Sequence, residues 1–475
     1  MTRIVLGPFN RVEGDLEVSL DVEAGQVTAA RINSPLFRGF EQLLVGRIAE
    51  DALTIVPRIC GICSVSQSAA AAAALAALAG VEPPPNGVLA QHLIMATENL
   101  ADHLAHFYLF FMPDFARAEY SQRAWHTDLA ARFAAVKGSA ASPALQARSR
   151  FFNLTGFLSG RWPHTLALQP GGSTKAMTPA ERIRILALLR EFRGFLETTL
   201  LGDTLEAFSA LASMDALTAW AAGRRADFPY YLRAAADLAL EKTGRASDNF
   251  LSYGAYGLFA QGLWQPNAGA AVNRLNVAKI TEDTCHAWLA ESAPRPPAQG
   301  ETIVDANKAG AYTWCKAPRY GGQVVETGAL ARQVVAGNPL ARDLVERYGA
   351  SVTARVVARM IELASVVPAM ENWVRAIVPG DPFCSPAKMP ESGESVGLVE
   401  AARGSLGHWL SIKHGRIERY QIIAPTTWNF SPRDSTGQPG PLEQALVGLP
   451  AGEGAPPTIQ HVVRSFDPCM VCTVH

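Results

Sequence analysis

The sequence carries no surplus of charge. Its 42 lysines and arginines face 43 aspartates and glutamates, for a formal net charge of −1. That removes the electrostatic case for nucleic acid or an anionic membrane surface as a partner. No apolar run is long enough to span a bilayer; the best candidate, the alanine-rich residues 69–79, is too short and too weakly hydrophobic. The opening residues, Met1-Thr2-Arg3-Ile4-Val5, show no charged region followed by an apolar one and a cleavage site. A soluble, cytoplasmic protein without membrane insertion is expected. Cysteine is scarce, with seven residues at 60, 63, 285, 315, 384, 469 and 472. An odd count containing two tight pairs argues against a disulfide framework and for metal or redox chemistry in a reducing compartment. The chain has no internal repeat and no convincing linker, although 475 residues could hold one large domain or two to three smaller ones. Its hydrophobic content, 48%, is ample for a core.

What is present is concentrated at the two ends. Cys60 and Cys63 stand in Arg58-Ile59-Cys60-Gly61-Ile62-Cys63, and Cys469 and Cys472 stand in Asp467-Pro468-Cys469-Met470-Val471-Cys472-Thr473-Val474-His475. Chain ends fray and make poor rigid sites, so a Cys-x-x-Cys pair there makes sense if the tail is pinned against the first pair. Four thiolates on one centre fit structural zinc, but zinc ribbons place their pairs close together in sequence. Pairs that frame a whole protein suit a centre enclosed by a large fold, and soft sulfur ligands equally select nickel and iron. Cys285, Cys315 and Cys384 are isolated and read as small buried hydrophobes.

The pattern between the pairs is mostly helical. Residues 16–22 alternate with period two and residues 26–32 follow a turn, so the N-terminal part reads as strands. A helix is expected to open at residues 38–41, and a long alanine-rich one at residues 64–79. Gln67 lies four positions after Cys63, on the same helical face and near any metal there. Helices are also expected over residues 89–111, 179–200, 227–242 and 352–367, with loops at 159–164 and 169–172 and an exposed connection over 291–300. Asp102 and His106 share one face, and a buried histidine pair satisfying core polar groups is as good a reading of His103 and His106 as a metal site. Strands return at residues 410–413 and 417–423 around His414-Gly415, followed by a turn at 424–429. The expected fold is α+β and predominantly helical, with small strand-containing segments towards both ends and the metal site where the ends meet.

The two cysteine motifs resemble the signatures of the nickel–iron hydrogenase large subunit. Further matches are residues 10–14, 38–41, 102–108, 160–172, 317–321, 403–409 and 425–434, so the likeness runs the length of the chain as one domain over 1–475. The resemblance implies terminal nickel thiolates at Cys60 and Cys469, and thiolates bridging nickel to iron at Cys63 and Cys472, the iron carrying carbon monoxide and two cyanides. It implies that Glu41 and His475 help hold a magnesium or iron ion, a harder cation suited to carboxylate and imidazole. Glu13 would relay protons, Arg403 would stand over the open metal position with Asp102 and Asp467 beside it, and Thr426 would donate to a cyanide. The implied chemistry is reversible heterolytic cleavage of dihydrogen. This chain has no cysteine cluster for an iron–sulfur relay, so an iron–sulfur small subunit is an implied partner, with nickel-insertion accessory proteins before it.

Three positions depart from the family pattern: Gln67 and Asp15 where histidine is usual, and Ala402 where proline usually precedes the arginine. Glutamine can donate a hydrogen bond to the Cys63 sulfur as histidine can, but it cannot take up a proton. In this it resembles the regulatory, dihydrogen-sensing branch, which implies slow turnover, a dimer of heterodimers and a signalling partner such as a histidine kinase. The sequence stops at His475, consistent with that branch or with removal of a terminal peptide. The alternatives are an energy-conserving uptake hydrogenase and, from another class, a non-catalytic relative or zinc scaffold.

Overall fold

The computed structural model describes residues 2–266, 269, 271–290, 293–452, 456–473 and 475. Strands Thr2–Leu6, Glu17–Glu23 and Gln26–Asn33 form an antiparallel sheet in sequence order, and Gly393–Ala401, Gly404–Lys413 and Arg416–Ile423 form a second. Helices fill most of what lies between, and the fold is α+β with a helical core. The largest group of packed apolar side chains draws on residues from Phe9 to Met470. Among the described residues no helix is long and apolar enough to cross a membrane.

The alanine-rich helix Ser64–Ala79 has the expected bounds, and its packing explains its composition. It lies against the strand Gly393–Ala401 so closely that a Cβ on Gly397 would sit 2.0 Å from Ala70 O and 2.4 Å from Ala74 N. Larger side chains on either surface would hold helix and sheet apart. A second cluster, containing Leu75, Leu406, Tyr420 and Ile422, joins that helix to the second sheet and includes all four paired cysteines.

Several expectations need correction. The middle of the chain also carries strands, as the hairpin Phe250–Ala255 and Phe259–Trp264 and the pair Ile280–Asp283 with Ala317–Tyr320. Phe250–Ala255 is buried on both faces, which erases the alternation that marks a half-exposed strand. The helix expected over residues 89–111 starts at Pro85, where proline fits a first turn, and gives way at His106 to a wider turn through Phe111. The helix expected to stop at 367 passes through Pro368 to Ala376, because its flanks are held by packing on both sides. Residues 227–242 are helical only to Asp237 before a separate turn. Pro425–Asn429 is a short helix rather than a turn, and residues 169–172 contribute to a two-residue hairpin. Cys384 is exposed and Cys285 half-buried, so of the isolated cysteines only Cys315 is a buried hydrophobe. Glu291 and Ser292, in the expected exposed connection, lie outside the described residues; Pro297 within it is buried.

Candidate metal centre

Cys60 leaves a tight turn, Val56–Ile59, in extended conformation, and Cys63 starts the helix Ser64–Ala79. The exposed N–H groups of that helix start are capped from another helix: Glu98 accepts from Val65 N and Ser66 N at 2.9 Å each, and from Trp162 Nε1 at 2.9 Å. At the other end the chain leaves the helix Pro457–Ser465 and turns at Asp467, whose φ is +59°. The turn lays Cys469 alongside Glu13, with Met470 N donating to Glu13 O at 2.7 Å and Glu13 N to Pro468 O at 3.4 Å. Arg38 then clamps the two motifs, its guanidinium donating to Ile59 O and to Val471 O.

The result is convergence of groups 409 residues apart in sequence. Cys60 Sγ and Cys469 Sγ are 3.4 Å apart, Cys63 Sγ and Cys472 Sγ 2.8 Å, and Cys469 Sγ and Cys472 Sγ 3.1 Å. All four lie within 4.8 Å of one another and are buried, and among the described residues they form the one such cluster of metal-ligating side chains. Hydrogen bonds from Cys469, Cys472 and Cys63 hold the Cys60 thiol well below the usual range, while hydrogen bonding to its neighbours and burial push Cys63 well above it. Burial likewise raises Cys472. Four thiolates in this space repel one another and need a cation to ionise together, which is what a soft metal centre provides.

Arg403 sits at the turn between two strands of the second sheet. It is buried, donating to Asp467 O at 2.9 Å and Asp467 Oδ1 at 3.0 Å, with Asp102 Oδ2 at 3.1 Å. Burial opposes both carboxylates, but Arg403 keeps Asp467 below the usual range, whereas burial and the neighbouring Asp467 leave Asp102 above it. Glu13 is half-buried, and burial together with the Cys60 charge raises its pKa. Thr426 Oγ1 accepts from Cys469 N at 3.2 Å, which leaves its own O–H free to donate. Gln67 Oε1 faces His408 Nε2 at 2.8 Å, and Gln67 Nε2 is buried without a partner. A hydroxyl bonded to the Cys469 backbone and an unpaired amide one helical turn from Cys63 suit a centre that carries acceptor ligands. His103 and His106 take the core reading, bonding Glu362 at 2.7 Å and Arg464 O at 2.7 Å.

The expected second cation site is partly filled by protein. Glu41 Oε1 and His475 Nε2 are 3.2 Å apart, but Lys316 Nζ stands 3.1 Å from both Glu41 oxygens, and Ile422 N and Thr302 Oγ1 donate to the same carboxylate. Sequence reasoning missed Arg38, Glu98, Lys316 and His408. Arg38 and His408 fall inside motifs already noted, so their position carried the signal; nothing local marked Glu98 or Lys316.

The family model for nickel-dependent hydrogenases matches residues 38–132 and 120–475. The chain is 29% identical to the periplasmic [NiFeSe] hydrogenase large subunit of Desulfomicrobium baculatum, over all of this chain and 95% of the relative. It is 26% identical to the uptake hydrogenase large subunit of Cupriavidus necator and 29% to the quinone-reactive Ni/Fe-hydrogenase large chain of Wolinella succinogenes, again over its whole length and over 95% and 96% of theirs. The reduced Ni-Fe-Se hydrogenase of D. vulgaris Hildenborough superposes over the full length of both chains, with a TM-score of 0.85 and 30% identity.

Proposed function

The chain belongs to the nickel-dependent hydrogenase family, and from that premise we propose that it is the large subunit of a dihydrogen-sensing nickel–iron hydrogenase. The convergence of four buried thiols within 4.8 Å carries the chemistry. Cys60 and Cys469 would hold nickel, and Cys63 and Cys472 would bridge it to an iron bearing carbon monoxide and two cyanides. That centre, when bound, supplies the reversible splitting of dihydrogen.

The chain's own residues serve that centre. Arg403 keeps a fixed cation next to it, held on two sides by Asp102 and Asp467. Glu13 would take and pass on a proton, a role its raised pKa and its backbone bonds to the Cys469 segment support. Thr426 offers a hydroxyl hydrogen to a cyanide, and Glu41 with His475 would hold a magnesium or iron ion for which Lys316 competes. Electrons leave through an iron–sulfur small subunit, as the relatives' designation as large subunits or large chains supports.

Gln67 supports the sensing reading. At a position one turn from Cys63 it offers a donor that cannot change charge, and its neighbour His408 is kept neutral by burial, which pushes its pKa down to about 3. Slow turnover, a cytoplasmic location, a dimer of heterodimers and a histidine kinase partner go with this reading. The second reading, an energy-conserving uptake enzyme, is favoured by the relatives named as uptake and quinone-reactive hydrogenases.

Dihydrogen-dependent dye reduction by the two-subunit complex, under argon and then in air, tests both. Slow turnover that survives air is expected. Fast turnover abolished by air selects the uptake reading, and a preparation holding zinc without nickel overturns the hydrogenase chemistry.

A further inference from the structure

A chain of three buried side chains leads away from the thiols. Gln67 Oε1 lies 2.8 Å from His408 Nε2, and His408 Nδ1 lies 2.8 Å from the Tyr420 hydroxyl. Gln67 and His408 are fully buried and Tyr420 is 1% exposed. Two proton arrangements satisfy these distances. In the first, Tyr420 O–H donates to Nδ1, His408 Nε2–H donates to Gln67 Oε1, and the Gln67 NH2 is left over. In the second, His408 Nδ1–H donates to Tyr420, a reversed Gln67 amide donates to Nε2, and two groups are left over: the Gln67 oxygen and the Tyr420 O–H.

The first arrangement is favoured on counting. It strands no hydroxyl, whereas the second leaves the buried Tyr420 O–H without an acceptor in the protein. It also leaves a donor, not a second acceptor, unpaired at a position one helical turn from Cys63. In this arrangement the Gln67 Nε2 has no partner within the protein. The imidazole is neutral, so that one ring nitrogen donates and the other accepts.

We propose that His408 and Tyr420 are positioning residues: the Tyr420 hydroxyl fixes the His408 tautomer, and His408 in turn fixes the Gln67 amide so that its unpaired NH2, one helical turn from Cys63, is the donor available to that sulfur once the metals are bound. The device sets how strongly that thiolate donates to its metal without any group changing charge. The inference rests on the reading of the four cysteines as ligands of a nickel-containing centre.

The test uses the purified two-subunit complex of Tyr420→Phe, with nickel and iron content measured first and the electron paramagnetic resonance of the nickel recorded next. Removing one hydroxyl frees the tautomer, so the variant should keep its metals and show shifted principal g values. In a Gln67→Met background, where no amide remains to be oriented, the same substitution should add no shift. A second pair makes the assignment independent of Tyr420: His408→Leu should shift the signal, and His408→Gln, which can still donate to Gln67 Oε1, should return it towards that of the parent. A Tyr420→Phe signal identical to the parent's, or an equal shift in both backgrounds, overturns the proposal. A parent complex without nickel overturns the metal reading instead, so the two failures are distinguishable.

Discussion

Arg403 shows what a single side chain does that its nearest chemical substitute cannot. Its planar fork reaches Asp102, Asp467 and the Asp467 carbonyl at once, whereas a lysine ammonium is a point charge on a flexible stem. Arg403→Lys is expected to leave nickel content unchanged and lower dihydrogen-dependent turnover roughly 100-fold, the size of effect seen when one preorganised electrostatic group is lost; turnover within threefold of the parent refutes the role. Glu443, bonded by Ile32 N and the Tyr312 hydroxyl, gives a pH signature. Burial pushes its pKa up to about 7, against the pull of its bond from Tyr312. Because the folded value is raised, its contribution to stability is full below the unfolded carboxylate range and is lost as pH rises through 7. Glu443→Gln lacks that loss, so relative to the parent it should gain about 1 kcal/mol between pH 6 and pH 8, read from melting midpoints at the two values. The cysteines were legible from the spacing of their pairs, and Glu41 and His475 only through the family resemblance. Glu443, Lys316 and Glu98 were not, since each acts on residues distant in sequence: Glu443 on Ile32, Lys316 on Glu41, Glu98 on Ser66.

The helix Ser64–Ala79 carries Cys63 at its first turn, and its start depends on Glu98 rather than on a residue of its own. Serine, threonine or aspartate usually caps such a start from within; here the cap position is Cys63 itself, whose sulfur faces the other three thiols. Glu98→Ala would leave Val65 N, Ser66 N and Trp162 Nε1 without their acceptor. The expected cost is about 3 kcal/mol, with nickel content falling as Cys63 loses its fixed position. A variant that melts with the parent and loads nickel fully removes Glu98 from this role. The bounds of this helix were readable from its alanine run, but its cap was not, because a cap supplied by another helix leaves no local pattern. The strands of the middle segment escaped for a related reason: Phe250–Ala255 is buried on both faces, so its alternation vanished. Proline at 368 marked an end that packing overrode.

Glu41 and Glu282 bind distant parts of the chain through one ammonium. Lys316 Nζ is buried, with Glu41 at 3.1 Å, Glu282 at 3.3 Å and Gln421 Oε1 at 2.7 Å, while Glu41 also meets Ile422 N and His475. Residues from the first tenth, the middle and the last residue of the chain therefore share one charge cluster beside the thiols. Removing the partner of a buried charge costs about 3–5 kcal/mol, because the remaining charge is left uncompensated. Lys316 keeps one carboxylate in Glu41→Gln and the other in Glu282→Gln, so each single variant should lower the thermal midpoint modestly. The double variant strands the ammonium, and its loss should exceed the sum of the singles by well over the 0.5 kcal/mol expected of independent sites. Adding Lys316→Met to the double should recover most of that excess, because the uncompensated charge is then gone. Additive losses, or no recovery, would mean that the ends are held by the thiols alone and that the cluster is incidental to closing the fold.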